Sequence, residues 1–187
     1  YAAGKNVGIW VWVRWSDVNN PANDWENMRR FFSSLSKTGI RGIKIDFMDS
    51  ASQERLDFYD AVAENLAKNK LMVNFHGANT PTGEERSWPH EMSREGIYGG
   101  EQNIWAAIGG QHYCALPFTR LVSGHADFTG GYFGHGPKLR GSSWTLQMAA
   151  NIIYTSPMLH WVSNPADMEA AFPKDSPERE VVRNIPS

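Results

Sequence analysis

Apolar residues fall into short β-branched runs and longer stretches of helical spacing, and the two kinds alternate along the chain. Residues 7–14, from Val7 to Arg14, are apolar, β-branched and aromatic, which predicts a strand. After Asp24, a candidate cap, Trp25, Met28, Phe32 and Leu35 recur at helical spacing as far as Lys37, and Gly39 supplies the stop. Residues 43–47 read as a second strand. Ser50 or Ser52 then opens a helix with Leu56, Tyr59, Val62, Ala63 and Leu66 on one face, running to about Asn69. Residues 71–75 form a third strand that closes on His76-Gly77. The stretch from there to Glu95 holds Pro81, Gly83 and Pro89 and predicts a long loop, of the kind that commonly serves a site.

Beyond the loop, residues 97–101 predict a short strand ending on an acid, with Gly99 and Gly100 leaving room for a backbone or a ligand to come close. A further strand is expected within residues 121–128. Residues 140–154 read as a helix with Trp144, Met148 and Ile152 in register, and residues 156–162 as a last strand. Strands alternating with helices imply parallel βαβ units. An all-parallel sheet with polar residues at its carboxyl ends predicts an α/β fold of the (β/α)8 TIM-barrel type. An open doubly wound sheet is the alternative, but no glycine-rich phosphate loop follows any strand, which argues against nucleotides.

The chain has 187 residues, enough for one domain or a large part of one, and no repeat or linker divides it. A formal net charge of −2 gives no basic stripe, so nucleic acid and anionic membrane are not expected partners. One cysteine, Cys114, excludes an internal disulfide. His112, His125 and His135 lack the i, i+4 spacing of a zinc site. Eight Trp, six Tyr and nine Phe exceed what such a core needs, and flat aromatic faces suit sugar rings, although large aromatics also fill cores. Trp10, Trp12 and Trp15 crowd one strand and its end, with Trp15 the candidate for a substrate contact, and Trp88 and Trp105 fall in loops.

The second strand is the first place to look for chemistry. Alternation sets Ile43, Ile45 and Phe47 on one face and Lys44 and Asp46 on the other. A buried lysine beside a carboxylate must neutralise it, and the cation keeps the acid ionised, as a nucleophile requires; a purely structural ion pair reads the same way. In a barrel, Arg14, Asp46, His76 and Glu101 converge at the carboxyl ends of their strands. Two carboxylates flanking one pocket serve glycoside cleavage, where one protonates the leaving oxygen and the other attacks the anomeric carbon or activates water. Aldolases, isomerases and metal enzymes also place Asp and Glu at strand ends. Asp49 is an alternative acid, but it lies past the strand and reads as a cap or loop residue.

The segments GIKIDFMDS, LMVNFHGANTPTGEERSWPH, REGIYGGEQNIW and ALPFTRLVSGHADFTGG, taken in order, resemble the catalytic barrel of glycoside hydrolase family 97. The resemblance implies that the chain runs from the third barrel strand to the eighth. An N-terminal β-sandwich, the first two strands and a C-terminal β domain are then expected to lie outside residues 1–187. It also implies the retaining branch, with Asp46 as nucleophile and Glu101 as general acid/base. Inverting members carry Gly where Asp46 stands, and a catalytic-base Glu directly after the histidine matching His76, where this chain has Gly77. The exchange is physically coherent, since a nucleophile must touch the sugar whereas a base acting through water stands further off.

By the same resemblance Glu95 and Glu101 are among the carboxylates that ligate calcium, although Glu95 could instead pair with Arg94 or Arg86. His76, Lys44 and Asp127 are expected to contact substrate hydroxyls, with a core role the alternative for His76. His160-Trp161 departs from the smaller or more polar pair expected in the last strand. Two functional classes follow. One is an exo-acting α-glycosidase on oligosaccharides or α-glycosides, an α-galactosidase or else an α-glucosidase, from a periplasmic or secreted bacterial protein. The other is a carbohydrate-binding or structural fragment without turnover. A related α-galactosidase family with aspartate in both roles is opposed by Glu101.

Overall fold

The computed structural model describes residues 1–131, 133 and 139–185. The chain forms two compact units, Tyr1–Gly96 and Ile97–Ser187. In the first, strands Trp10–Arg14 (β1), Gly42–Asp46 (β2), Met72–Phe75 (β3) and Glu91–Arg94 (β4) make one sheet in chain order, parallel throughout. Helices Ala22–Ser36 and Gln53–Lys68 are the crossovers between β1, β2 and β3, as the alternating periods predict. The α/β class is therefore realised.

The apolar face of the sheet is closed by these helices. Ile43, Ile45, Val73 and Phe75 pack with Met28, Phe32, Phe58, Val62 and Leu66, all fully buried. The opposite face is polar, with Trp12, Lys44 and Asn74 in one register row and Ser93 next to Asn74 on β4. One side of the sheet is thus apolar and covered by helices, and the other is polar. Asp24 does not cap the first helix. Asn23, Asp24 and Trp25 are all left-handed, and Asp24 pairs with Arg29 at 2.6 Å.

β4 lies inside the stretch whose prolines and glycines predict a loop, and residues 97–101 form no strand; Gly100–Ile104 is a 3-10 turn instead. Met92 is the one apolar residue of β4, so no hydrophobic alternation marks it. Its polar side chains are buried as a network. The Arg94 guanidinium donates to both Glu91 oxygens (2.8 and 3.0 Å), to Asn79 (3.1 Å) and to Glu84 (3.3 Å), and lies over the Tyr59 ring at 4.2 Å. Burial pushes the Glu91 carboxyl up from its ordinary value, while the Arg94 charge pulls it down. Arg94 thereby ties both ends of the long loop to the sheet.

The second unit, described by itself, is built from short helices around Ile108, Tyr113, Leu116, Phe128, Ala150 and Tyr154. Helix Trp144–Ile153 starts where Ser143 accepts from the Leu146 N–H at 3.1 Å, a turn later than the residue-140 start that spacing suggests. The strand expected within 121–128 does not form, and of residues 156–162 only Trp161 pairs, in one parallel bridge with Gly130. Arg120–Ser123 is a 3-10 turn, Gly124 has φ 128°, and the Ser156 hydroxyl bonds across Pro157 to Met158, so neither segment stays extended. His135 lies outside the described residues. Among the described residues no helix is long and apolar enough to cross a membrane.

Candidate active site

Asp46 is the last residue of β2 and is buried on the polar face. Both of its oxygens are held. Oδ2 accepts from the Trp12 indole Nε1–H at 2.9 Å and Oδ1 from the backbone N–H of Phe47 at 2.7 Å. Hydrogen bonds to an ionised acceptor contribute about 1.5–3 kcal/mol each, and neither donor can protonate the carboxylate at ordinary pH. The second bond requires the chain to turn back on itself at once. Phe47 has φ 65°, a left-handed conformation that costs a residue with a side chain on the order of 1–3 kcal/mol.

Gly77 makes that turn possible. It has φ 56°, its carbonyl accepts from the Asp49 N–H at 2.7 Å, and a Cβ placed on it would lie 2.9 Å from the Phe47 nitrogen and 3.0 Å from its Cα. No residue with a side chain fits there without displacing the donor that holds Asp46 Oδ1. The co-occurrence of Asp46 and Gly77 is therefore a packing requirement. Asp49, the alternative acid, also has positive φ and belongs to this turn, clear of the strand end.

The ladder continues one step past β3 and β4. The His76 N–H donates to Ile45 and the Glu95 N–H to Phe75, each at 2.8 Å, so Asp46, His76 and Glu95 follow one another across neighbouring strand ends. All three are buried. Glu95 Oε2 accepts from the Gly77 N–H at 2.6 Å, and Oε1 faces His76 Nε2 at 3.4 Å. Arg94 is committed to Glu91, Asn79 and Glu84 on the helix side of the sheet. The acid that closes the fourth strand of this sheet is thus Glu95, and Glu101 stands in a 3-10 turn of the other unit. Calcium takes six to eight oxygens. Glu95 Oε2 accepts one hydrogen bond, from the Gly77 N–H, and keeps a second lone pair, so its carboxylate can offer part of such a set.

Trp15 is placed differently from its expected role. It follows β1 in the turn Trp15–Val18, stacks under the Arg55 guanidinium at 3.2 Å and packs edge-on against Phe58 on the core side. Trp12 is the aromatic that reaches the acid, and strand alternation carries the signal: Val11 and Val13 share the apolar face, leaving Trp12 and Arg14 on the face of Lys44 and Asp46. Lys44 lies between Trp12 and Asn74, and the buried Asn74 amide has no hydrogen-bond partner among the described residues.

In the second unit, Gly99 and Gly100 admit a backbone, as their spacing suggests. The Gly100 N–H donates to Phe128 at 2.7 Å, and a Cβ at either glycine would lie 2.5–2.7 Å from the carbonyl oxygens of Phe128 and Thr129. This contact fixes the segment on which the partly exposed Glu101 sits. Asp127 is fully buried and bonded to His160 Nδ1 at 2.8 Å. His160 thus gives the buried Asp127 a polar partner.

A sequence model of the family described as Glycoside hydrolase 97 matches residues 1–97. A probable retaining alpha-galactosidase of Streptomyces bingchenggensis (strain BCW-1) is 36% identical over 170 residues, which are 91% of this chain and 26% of that protein. The retaining alpha-galactosidase of Bacteroides thetaiotaomicron is 36% identical over 141 residues, 74% of this chain and 20% of that protein. The chain thus spans about a quarter or less of these relatives. A solved variant of a glycoside hydrolase family 97 enzyme from Pseudoalteromonas sp. strain K8, in complex with panose, superposes with a TM-score of 0.81 at 22% identity, over 100% of this chain and 31% of that one.

Replacing Gly77 by alanine should destabilise the protein by about 1–3 kcal/mol in denaturant unfolding, the range for a side chain forced into left-handed backbone against a close contact. An unchanged midpoint would mean that the Phe47 turn does not depend on a bare backbone at 77.

Proposed function

The chain belongs to glycoside hydrolase family 97, and from that membership we propose that the full-length protein is a retaining exo-α-galactosidase whose nucleophile is Asp46. The observation that carries the reading is the seating of Asp46: a strand-end carboxylate held at both oxygens by N–H groups, beside a position that excludes any side chain. The likeness to two relatives named retaining alpha-galactosidases supports the sugar and the stereochemical branch. The four parallel strands in chain order are then one part of a (β/α)8 barrel, with Asp46, His76 and Glu95 at its carboxyl-end face.

Each Asp46 oxygen has one lone pair engaged and another available. In the first step one oxygen bonds to the anomeric carbon as the bond to the leaving oxygen breaks, and Glu101 delivers the proton that the leaving group takes. In the second step Glu101 takes a proton from water. The water oxygen attacks the same carbon and the electron pair of the ester bond returns to Asp46. Glu101 suits proton exchange because it is partly exposed, whereas Glu95 is buried. Lys44, on the row below Asp46, and Asp127 with His160 are proposed to bind sugar hydroxyls. Trp15 is assigned a packing role.

Asp46→Gly in the full-length protein should abolish turnover, and added azide should restore it with formation of a glycosyl azide of inverted configuration, because a small anion enters the space left by a nucleophile. Full activity of the variant, or an azide product of retained configuration, would remove Asp46 from this role. Glu101→Gln should cost at least about a hundredfold with alkyl glycosides and far less in the first step with activated aryl glycosides, which need no proton. Equal losses on both would assign Glu101 elsewhere.

A further inference from the structure

We infer that Trp12 is a positioning residue for Asp46, and that its indole N–H acts chiefly in the second half of the reaction, when the carboxylate is released from the sugar. This rests on the reading of Asp46 as nucleophile. Trp12 is in register with Lys44, two residues before Asp46 on the neighbouring strand, so the indole reaches diagonally along the polar face to Oδ2 at 2.9 Å. The same ring meets Phe47 edge-on, with centroids 5.8 Å apart and an interplanar angle of 85°, and the Arg14 guanidinium lies 5.6 Å over the Phe47 ring. Trp12 therefore supplies one donor to the carboxylate directly and braces the residue that supplies the other, the Phe47 N–H at 2.7 Å from Oδ1. Two donors on two oxygens fix the rotation of the carboxylate plane.

The chemistry of the two steps differs at this group. During attack the carboxylate loses charge to the new C–O bond, so the indole bond weakens on the way and helps that step by orientation alone. During release, water bonds to the anomeric carbon, the ester C–O bond breaks, and its electron pair restores a full negative charge spread over Oδ1 and Oδ2. Hydrogen bonds to an ion are roughly twice as strong as neutral ones, so the indole bond strengthens as release proceeds and lowers that barrier. The indole N–H is suited to this because it is a donor only and cannot hand its proton to the departing carboxylate.

Trp12→Phe keeps a ring and removes the N–H. In the full-length protein, with an activated aryl α-galactoside, kcat should fall about tenfold, KM should fall with it, and kcat/KM should change less than about threefold, with the covalent glycosyl-enzyme accumulating in quenched samples. Replacing the indole by its benzothiophene isostere, which removes only the N–H, should give the same pattern. Unchanged kcat in the isostere variant, or a raised KM with kcat unchanged in either variant, would overturn the inference, the latter pointing to a stacking surface for sugar. Asp46→Gly assayed alongside separates the two levels. If it retains activity, the reading of Asp46 fails; if it is inactive while the isostere behaves as wild type, the role of Trp12 alone fails.

Discussion

The left-handed turn at Phe47 holds Asp46, Gly77 and Glu95 in their places. A strand that ended on Asp46 and ran on in extended conformation would send the next N–H away from the carboxylate. The left-handed Phe47 returns it to Oδ1, at a cost that the contacts around it must offset. Gly77 provides the space and the Asp49 N–H to Gly77 hydrogen bond closes the turn. Glu95 then holds Gly77 through its N–H. Three strand ends are joined in this way, and removing the bare backbone at 77 would loosen all of them.

The sheet beneath explains why such a site can persist. Its helix-facing side is closed by fully buried aliphatic and aromatic residues, and the ionic network of Arg94 sits on that side as well, where it secures the long loop without touching the chemistry. The polar side is therefore free to carry groups that would destabilise a core: a lysine, an asparagine amide without a hydrogen-bond partner among the described residues, and buried carboxylates. Left-handed backbone at Phe47, Asp49 and Gly77 and the buried side chains of Asp46, His76 and Glu95 lie together at these strand ends.

Much of the first unit is legible in the sequence because its strands are bounded and β-branched and its helices keep a steady apolar face. Asp46 stands out as a strand-end acid for the same reason. What cannot be read has physical causes. β4 is made of polar residues whose burial depends on Arg94 meeting Glu91, a pairing three residues apart that hydrophobic periodicity does not record. With β4 hidden, periodicity moves the next strand onto residues 97–101 and puts Glu101 at a strand end. The reduced strands of the second unit follow from glycine and proline contacts that become decisive only in three dimensions. Trp12 is within reach of alternation, yet a strand with several tryptophans does not say which of them meets an acid across the sheet.

A sugar bonded to Asp46 leaves its mark on the stereochemistry of the first product. Proton NMR of the full-length protein acting on an α-galactoside, recorded before mutarotation, should show the α-anomer appearing first, since two displacements at one carbon restore its configuration. An initial β-anomer would show a single displacement by water, and would contradict both the role of Asp46 and the functional meaning of the bare backbone at Gly77.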